Sequence, residues 1–103
     1  MKQIEQGALN QLVWEGLEEL NDTLEDDQKL TLSQDMALFG KEGVLDSLDF
    51  VNLVMILEDL VHDKYGESIT LMDEKAFSQK HNPFHKIDAL SMYIKTLLAG
   101  DGQ

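Results

Sequence analysis

Ser47-Leu48-Asp49-Phe50-Val51-Asn52-Leu53-Val54-Met55-Ile56-Leu57-Glu58-Asp59-Leu60-Val61-His62-Asp63-Lys64-Tyr65 holds neither glycine nor proline, and Gly66 follows it directly. An unbroken run of this kind, closed by a residue that adopts left-handed backbone freely, predicts a long α-helix. Val51, Val54, Leu57 and Val61 line one apolar face, and Phe50, Leu53 and Leu60 widen it. Each such side chain, once fully buried, contributes roughly 1.5–3 kcal/mol, ample to dock the helix. A second stripe is left over. Leu48, Asn52, Met55, Ile56, Asp59 and His62 share another face, rimmed by Asp49, Glu58, Asp59 and Asp63. A helix that is apolar almost all round is either central in its fold or binds something. Two readings stay open here. Met55 and Ile56 pack beneath the preceding loop, or they centre a docking surface with an acidic rim, a place where the adaptable thioether of methionine is useful.

Outward from this helix, the rest of the chain also reads as helical. Over residues 2–24, Ile4, Ala8, Leu12, Leu17, Leu20 and Leu24 recur near a 3.6-residue period, with Val13 and Trp14 beside them. Gly7 and Gly16 each weaken that helix by about 1 kcal/mol relative to alanine. Residues 21–29 are polar and lose the period, which marks a loop or a frayed end. Residues 30–44 form a long connection with apolar anchors at Leu30, Leu32, Met36, Leu38 and Phe39. Ser33 can cap one short turn there, and Gly40 and Gly43 break anything longer. A short helix is expected over residues 71–78, where Thr70 and Asp73 have capping-box spacing. A last helix is expected over residues 87–98, burying Ile87, Leu90, Ile94, Leu97 and Leu98. Asn82 with Pro83 offers an earlier start for it, and residues 100–103 read as a flexible tail. The expected fold is all-α: an antiparallel four-helix bundle of three longer helices and one short helix, with a long loop between the first two.

Composition bounds the function. With 103 residues, 43% of them apolar, the chain is expected to be one domain with one core. Twenty acidic against eight basic residues give a net charge of −12. That field repels nucleic acid and anionic lipid and attracts basic protein surfaces. No apolar stretch approaches a membrane span, and the first residues lack the apolar core of a signal peptide, so a monomer in the cytoplasm is expected. There is no cysteine, hence no thiolate ligand and no cysteine nucleophile.

Ser47, at the head of the long helix, is the residue on which function turns. Its bland role is a helix cap worth about 1 kcal/mol, although Phe50 in place of Glu or Gln leaves the capping box incomplete. As a nucleophile it lacks a partner. A serine hydrolase needs a base and an orienting group, His62 lies roughly 20 Å down the same helix, and no Gly-x-Ser-x-Gly elbow is present. As an acceptor of a phosphate-linked group it is well placed, because free N–H groups and the positive end of the helix dipole favour a phosphodiester.

The run Leu45-Asp46-Ser47-Leu48, continued by Val51, Leu53, Val54, Met55, Leu57 and Glu58, resembles the acyl carrier protein family. The likeness covers about residues 38–98 and extends to Pro83-Phe84 and Leu90-Ser91-Met92-Tyr93-Ile94. It implies a non-catalytic carrier. Ser47 would bear 4′-phosphopantetheine, attached from coenzyme A by a phosphopantetheinyl transferase, and Asp46 would help that enzyme through its metal ion. The arm's thiol would hold acyl groups as thioesters, in fatty-acid or polyketide biosynthesis. Leu48, Asp49, Asn52, Met55, Ile56, Glu58 and Asp59 would dock basic, partly apolar patches on a loading ligase or synthase and on acyl-transfer enzymes. Asn52 stands where carriers of fatty-acid synthesis usually have glutamate, Val44-Leu45 replaces the common Gly-Ala, and Lys86 replaces a frequent threonine. These departures resemble stand-alone carriers of specialised pathways.

Other readings remain. One is a carrier of aminoacyl groups, such as D-alanine or a peptide unit. Another is an unmodified acidic interaction module. A calcium loop between Asp63 and Glu74 fails, because Tyr65 and Ser68 occupy its third and sixth positions. His81 and His85 have metal-ligand spacing, but Pro83 between them argues against a regular helical site.

Overall fold

The computed structural model describes residues 5–39, 43–71 and 84–99. Within them the chain forms three helices and no strand: α1 (Gln6–Thr23), α2 (Ser47–Tyr65) and α3 (Ile87–Ala99). A single 3-10 turn, Asp26–Gln28, follows α1 inside the polar stretch expected to be loop. The expected short helix over residues 71–78 and the Asn82-Pro83 start lie outside the described residues, apart from Leu71, which is buried in a bend. The tail 100–103 lies outside them too. The radius of gyration, 13.1 Å, matches the value of about 13 Å expected for a domain of this length.

α1 begins later than its periodicity suggested. Glu5 is extended (φ −80°, ψ 142°) and caps without a side-chain hydrogen bond, so the helix starts at Gln6. Its buried stripe is Leu9, Leu12, Val13, Gly16, Leu17 and Leu20. Ala8, expected on that stripe, is exposed, and Leu9 takes its place. Gly16 does more than weaken the helix. A Cβ there would lie 2.6 Å from Leu57 Cδ2 of α2, so the bare glycine sets how closely α1 and α2 approach.

α1 packs against both other helices, whereas the backbones of α2 and α3 do not come together. Aromatic rings link them instead. Phe50 of α2 meets Phe84 edge-on at 4.8 Å between ring centroids, and Phe84 meets Tyr93 of α3 edge-on at 6.0 Å. Such edge-to-face pairs add about 0.5–1.5 kcal/mol beyond the area they bury. α3 is fixed to α1 by a polar cluster. The single hydroxyl proton of buried Ser91 is shared between the Asn10 amide oxygen and the Asp88 carbonyl, Gln6 donates to Ser91 Oγ, and Asn10 Nδ2 donates to Asp88 Oδ1 at 3.0 Å. Because buried polar groups are costly unless paired, this cluster specifies one register between the two helices.

The loop between α1 and α2 runs over this core as expected. Leu38 is buried, and Leu30, Leu32, Met36 and Phe39 pack partly against the core. Asn21 clamps the loop from α1: its Oδ1 accepts from the Leu30 amide (2.7 Å) and its Nδ2 donates to the Leu30 carbonyl (3.1 Å). Ser33 organises a turn, with Met36 N–H donating to its carbonyl and Asp35 N–H to its hydroxyl. One antiparallel bridge joins Ala37 to Lys86.

α2 ends as its sequence dictates. Gly66 is left-handed (φ 69°), and its N–H donates to the His62 carbonyl at 2.9 Å. No helix among the described residues is long and apolar enough to cross a membrane.

Candidate functional site: the head and outer face of α2

Both Asp46 and Ser47 are capping residue types, and the structure gives the cap to Asp46. Its backbone is extended (φ −81°, ψ 179°), its Oδ1 accepts from the Asp49 amide at 2.8 Å, and its carbonyl accepts from the Phe50 amide. This corrects the capping role expected of the serine. Ser47 is the first helical residue, exposed, and its hydroxyl makes no hydrogen bond among the described residues. The choice has a physical cause. Buried Leu45 anchors the chain immediately before the helix, and a carboxylate accepts a stronger hydrogen bond from an amide than a hydroxyl does.

Asp49 is half-buried one turn into α2. Burial raises its carboxyl above the ordinary value, and the like charge of Asp46 adds to the rise. The amides of Ser47 and Leu48 have no acceptor among the described residues, as expected at a helix start.

The outer face of α2 divides the second stripe. Leu48 is 69% exposed and Met55 60%, so neither is covered by the loop. Ile56 is partly buried against the core, so only part of its side chain reaches that face. Val51, expected in the core, is instead 36% exposed, and with Val44 it joins Leu48 and Met55 on the surface. The spacing already held that signal for Val51, which lies three residues after Leu48 and four before Met55. Phe50, Leu53, Val54, Leu57 and Val61 are buried as expected, and Leu60 is half-buried.

The acidic rim divides in the same way. Asp59 and Asp63 are exposed, as are Asn52 and His62. Glu58 is half-buried and accepts from the Leu71 amide at 2.9 Å, tying the chain beyond α2 back to the helix. Glu58 thus has a structural duty in addition to the place on the rim expected of it. His85 has an exposed side chain, His81 and Glu74 lie outside the described residues, and no cluster able to hold a metal ion occurs among the described ones.

Placed together, these residues give a hydroxyl at a helix head with no partner among the described residues. Beside it runs an exposed apolar stripe of Leu48, Val51 and Met55, bounded by Asp59. Comparisons of the chain with protein-family models, with curated proteins and with solved structures find no match.

Proposed function

We propose that the protein is a stand-alone acyl carrier, a non-catalytic scaffold that bears 4′-phosphopantetheine on Ser47 and presents it to partner enzymes. The observation that carries this reading is the free Ser47 hydroxyl: with Asp46 as the cap, the serine has no structural duty at the position where the helix N-terminus favours a phosphodiester. The surroundings fit covalent attachment better than reversible anion binding. The unoccupied Ser47 and Leu48 amides suit phosphate oxygens, but the Asp46 and Asp49 carboxylates repel a free anion, so the group needs a bond to stay. When attached, the arm supplies the thiol that a chain without cysteine lacks.

The chain's own residues then present the arm and are recognised. Ser47 Oγ is the atom through which the arm is linked. Asp46 uses Oδ1 as the cap and keeps its other oxygen for the transferase's metal ion. Leu48, Val51 and Met55 offer the apolar centre of a docking face, and Asp59 steers basic partners. The partners are a phosphopantetheinyl transferase, a loading ligase or synthase, and acyl-transfer enzymes with basic patches.

The test is intact mass. Incubated with coenzyme A, magnesium and a broad-specificity transferase, the protein should gain the mass of one phosphopantetheine arm, and an unchanged mass sinks the proposal. A second expectation concerns recognition. Asp59→Lys should raise the KM for the transferase roughly threefold at low salt, and the difference should shrink as ionic strength rises. An identical KM at low salt would remove Asp59 from the docking face.

A further inference from the structure

We propose that Gly43 is a positioning residue for Ser47: its missing side chain lets the backbone before α2 seat against Leu38 and Phe39, and that seat fixes where the serine hydroxyl is presented. The inference rests on Ser47 being the attachment point.

Backbone conformation does not explain this glycine, because Gly66 is the one residue with positive φ among those described. Space does. A Cβ on Gly43 would lie 2.5 Å from Leu38 O, 2.6 Å from Phe39 Cα and 2.7 Å from the Leu38 carbonyl carbon. All three are backbone atoms, so no side-chain rotation relieves the overlap. At Gly16, by contrast, the nearest atom is the tip of a leucine.

The seat belongs to a short ladder. Val44 N–H donates to the Ala37 carbonyl (3.1 Å) and Leu45 N–H to the Leu38 carbonyl (2.9 Å). Leu38 and Phe39 in turn donate to the carbonyls of His85 (2.6 Å) and Phe84 (3.1 Å). The Phe39 ring stacks on Phe50 at 4.2 Å, one helical turn beyond Ser47. The ladder therefore ends two residues before the serine and grips α2 one turn after it. The hydroxyl makes no hydrogen bond of its own among the described residues, so the backbone path alone places it. Adding a methyl group at Gly43 must part residues 43–45 from 37–39 and carry the head of α2 with them. The body of the helix stays held by Leu53 and Leu57 against Gly16.

The experiment compares wild type, Gly43→Ala and Gly66→Ala as transferase substrates, at a temperature where circular dichroism shows all three folded. Gly43→Ala should lower kcat about tenfold, as a slightly misplaced reacting atom does. KM should stay within about twofold, since Leu48, Met55 and Asp59 are untouched. Gly66→Ala strains the opposite end of α2 and should leave kcat unchanged, which separates positioning from general destabilisation. Equal kcat for Gly43→Ala and wild type overturns the proposal while leaving the carrier reading intact. Should Gly43→Ala not fold, Phe39→Leu removes the ring stack without a clash. It should cost about threefold in kcat, and no loss overturns the proposal. If wild type accepts no arm, the carrier reading fails, and positioning is read from amide chemical shifts instead. Gly43→Ala should then move the resonances of Asp46, Ser47 and Asp49 and spare those of Leu53 and Leu57. Unmoved first-turn resonances overturn it on their own.

Discussion

Ser47→Ala should lose the prosthetic arm completely while unfolding at nearly the wild-type denaturant concentration. If the serine were the cap, its removal would cost about 1 kcal/mol. Asp46 fills that role, with Oδ1 2.8 Å from the Asp49 amide, and the serine hydroxyl is exposed and unbonded among the described residues. Alanine is also a better helix former than serine, so the change in stability should be within a few tenths of a kcal/mol. Asp46→Ala should show the complementary pattern, losing about 1 kcal/mol because the cap is gone. Intact mass and urea denaturation on the two variants decide the matter. A Ser47→Ala protein that still gains the arm would place the attachment elsewhere. A Ser47→Ala protein destabilised by more than the Asp46 variant would make the serine a structural residue.

The pair Asp46-Ser47 also shows where local sequence stops being decisive. Two capping residues stand side by side, and one step of register separates a structural serine from a free one. The burial of Leu45 chooses between them, and that is a tertiary fact. α2 itself was legible because nothing in it breaks a helix and Gly66 ends it. Its exposed face was only half legible. Leu48 and Met55 are exposed as a docking surface requires, yet Val51 lies at the surface where core was expected, and Ile56 is only partly buried. The reason is that α2 is covered by α1 on one side and by aromatic rings on another, and those directions are set by residues far away in sequence. Glu58 reads as rim charge until the chain returns to put the Leu71 amide beside it. Gly16 and Gly43 read as breakers, whereas Gly16 faces the tip of Leu57 and Gly43 marks a place where another stretch of backbone comes too close for a side chain.

Phe84→Ala should be the most damaging single truncation, costing about 3–5 kcal/mol, a large share of the roughly 5–15 kcal/mol that holds a small domain together. Phe84 is 1% exposed and stands between Phe50 of α2 and Tyr93 of α3. Among the described residues the backbones of the two helices do not come together, and the Phe84 ring touches both sides. Their separation is held by α1, which packs on both, and collapse into the vacated volume would have to break those contacts. The cavity therefore stays largely open, and cavities that cannot close are the costly ones. The backbone bond from Phe39 N–H to the Phe84 carbonyl survives the substitution, so the loss isolates the side chain. Met92→Ala on α3, where the side chain is 61% exposed, should change stability by no more than about 0.5 kcal/mol. Urea titrations followed by the fluorescence of Trp14, which packs partly against the same core, measure both. A Phe84→Ala loss below about 1 kcal/mol would mean that α2 and α3 can close on each other without the ring. The consequence would reach Ser47 as well: Phe84 braces Phe50, and Phe50 sits one turn from the serine, so a domain that tolerates the cavity would have to present its hydroxyl without that brace.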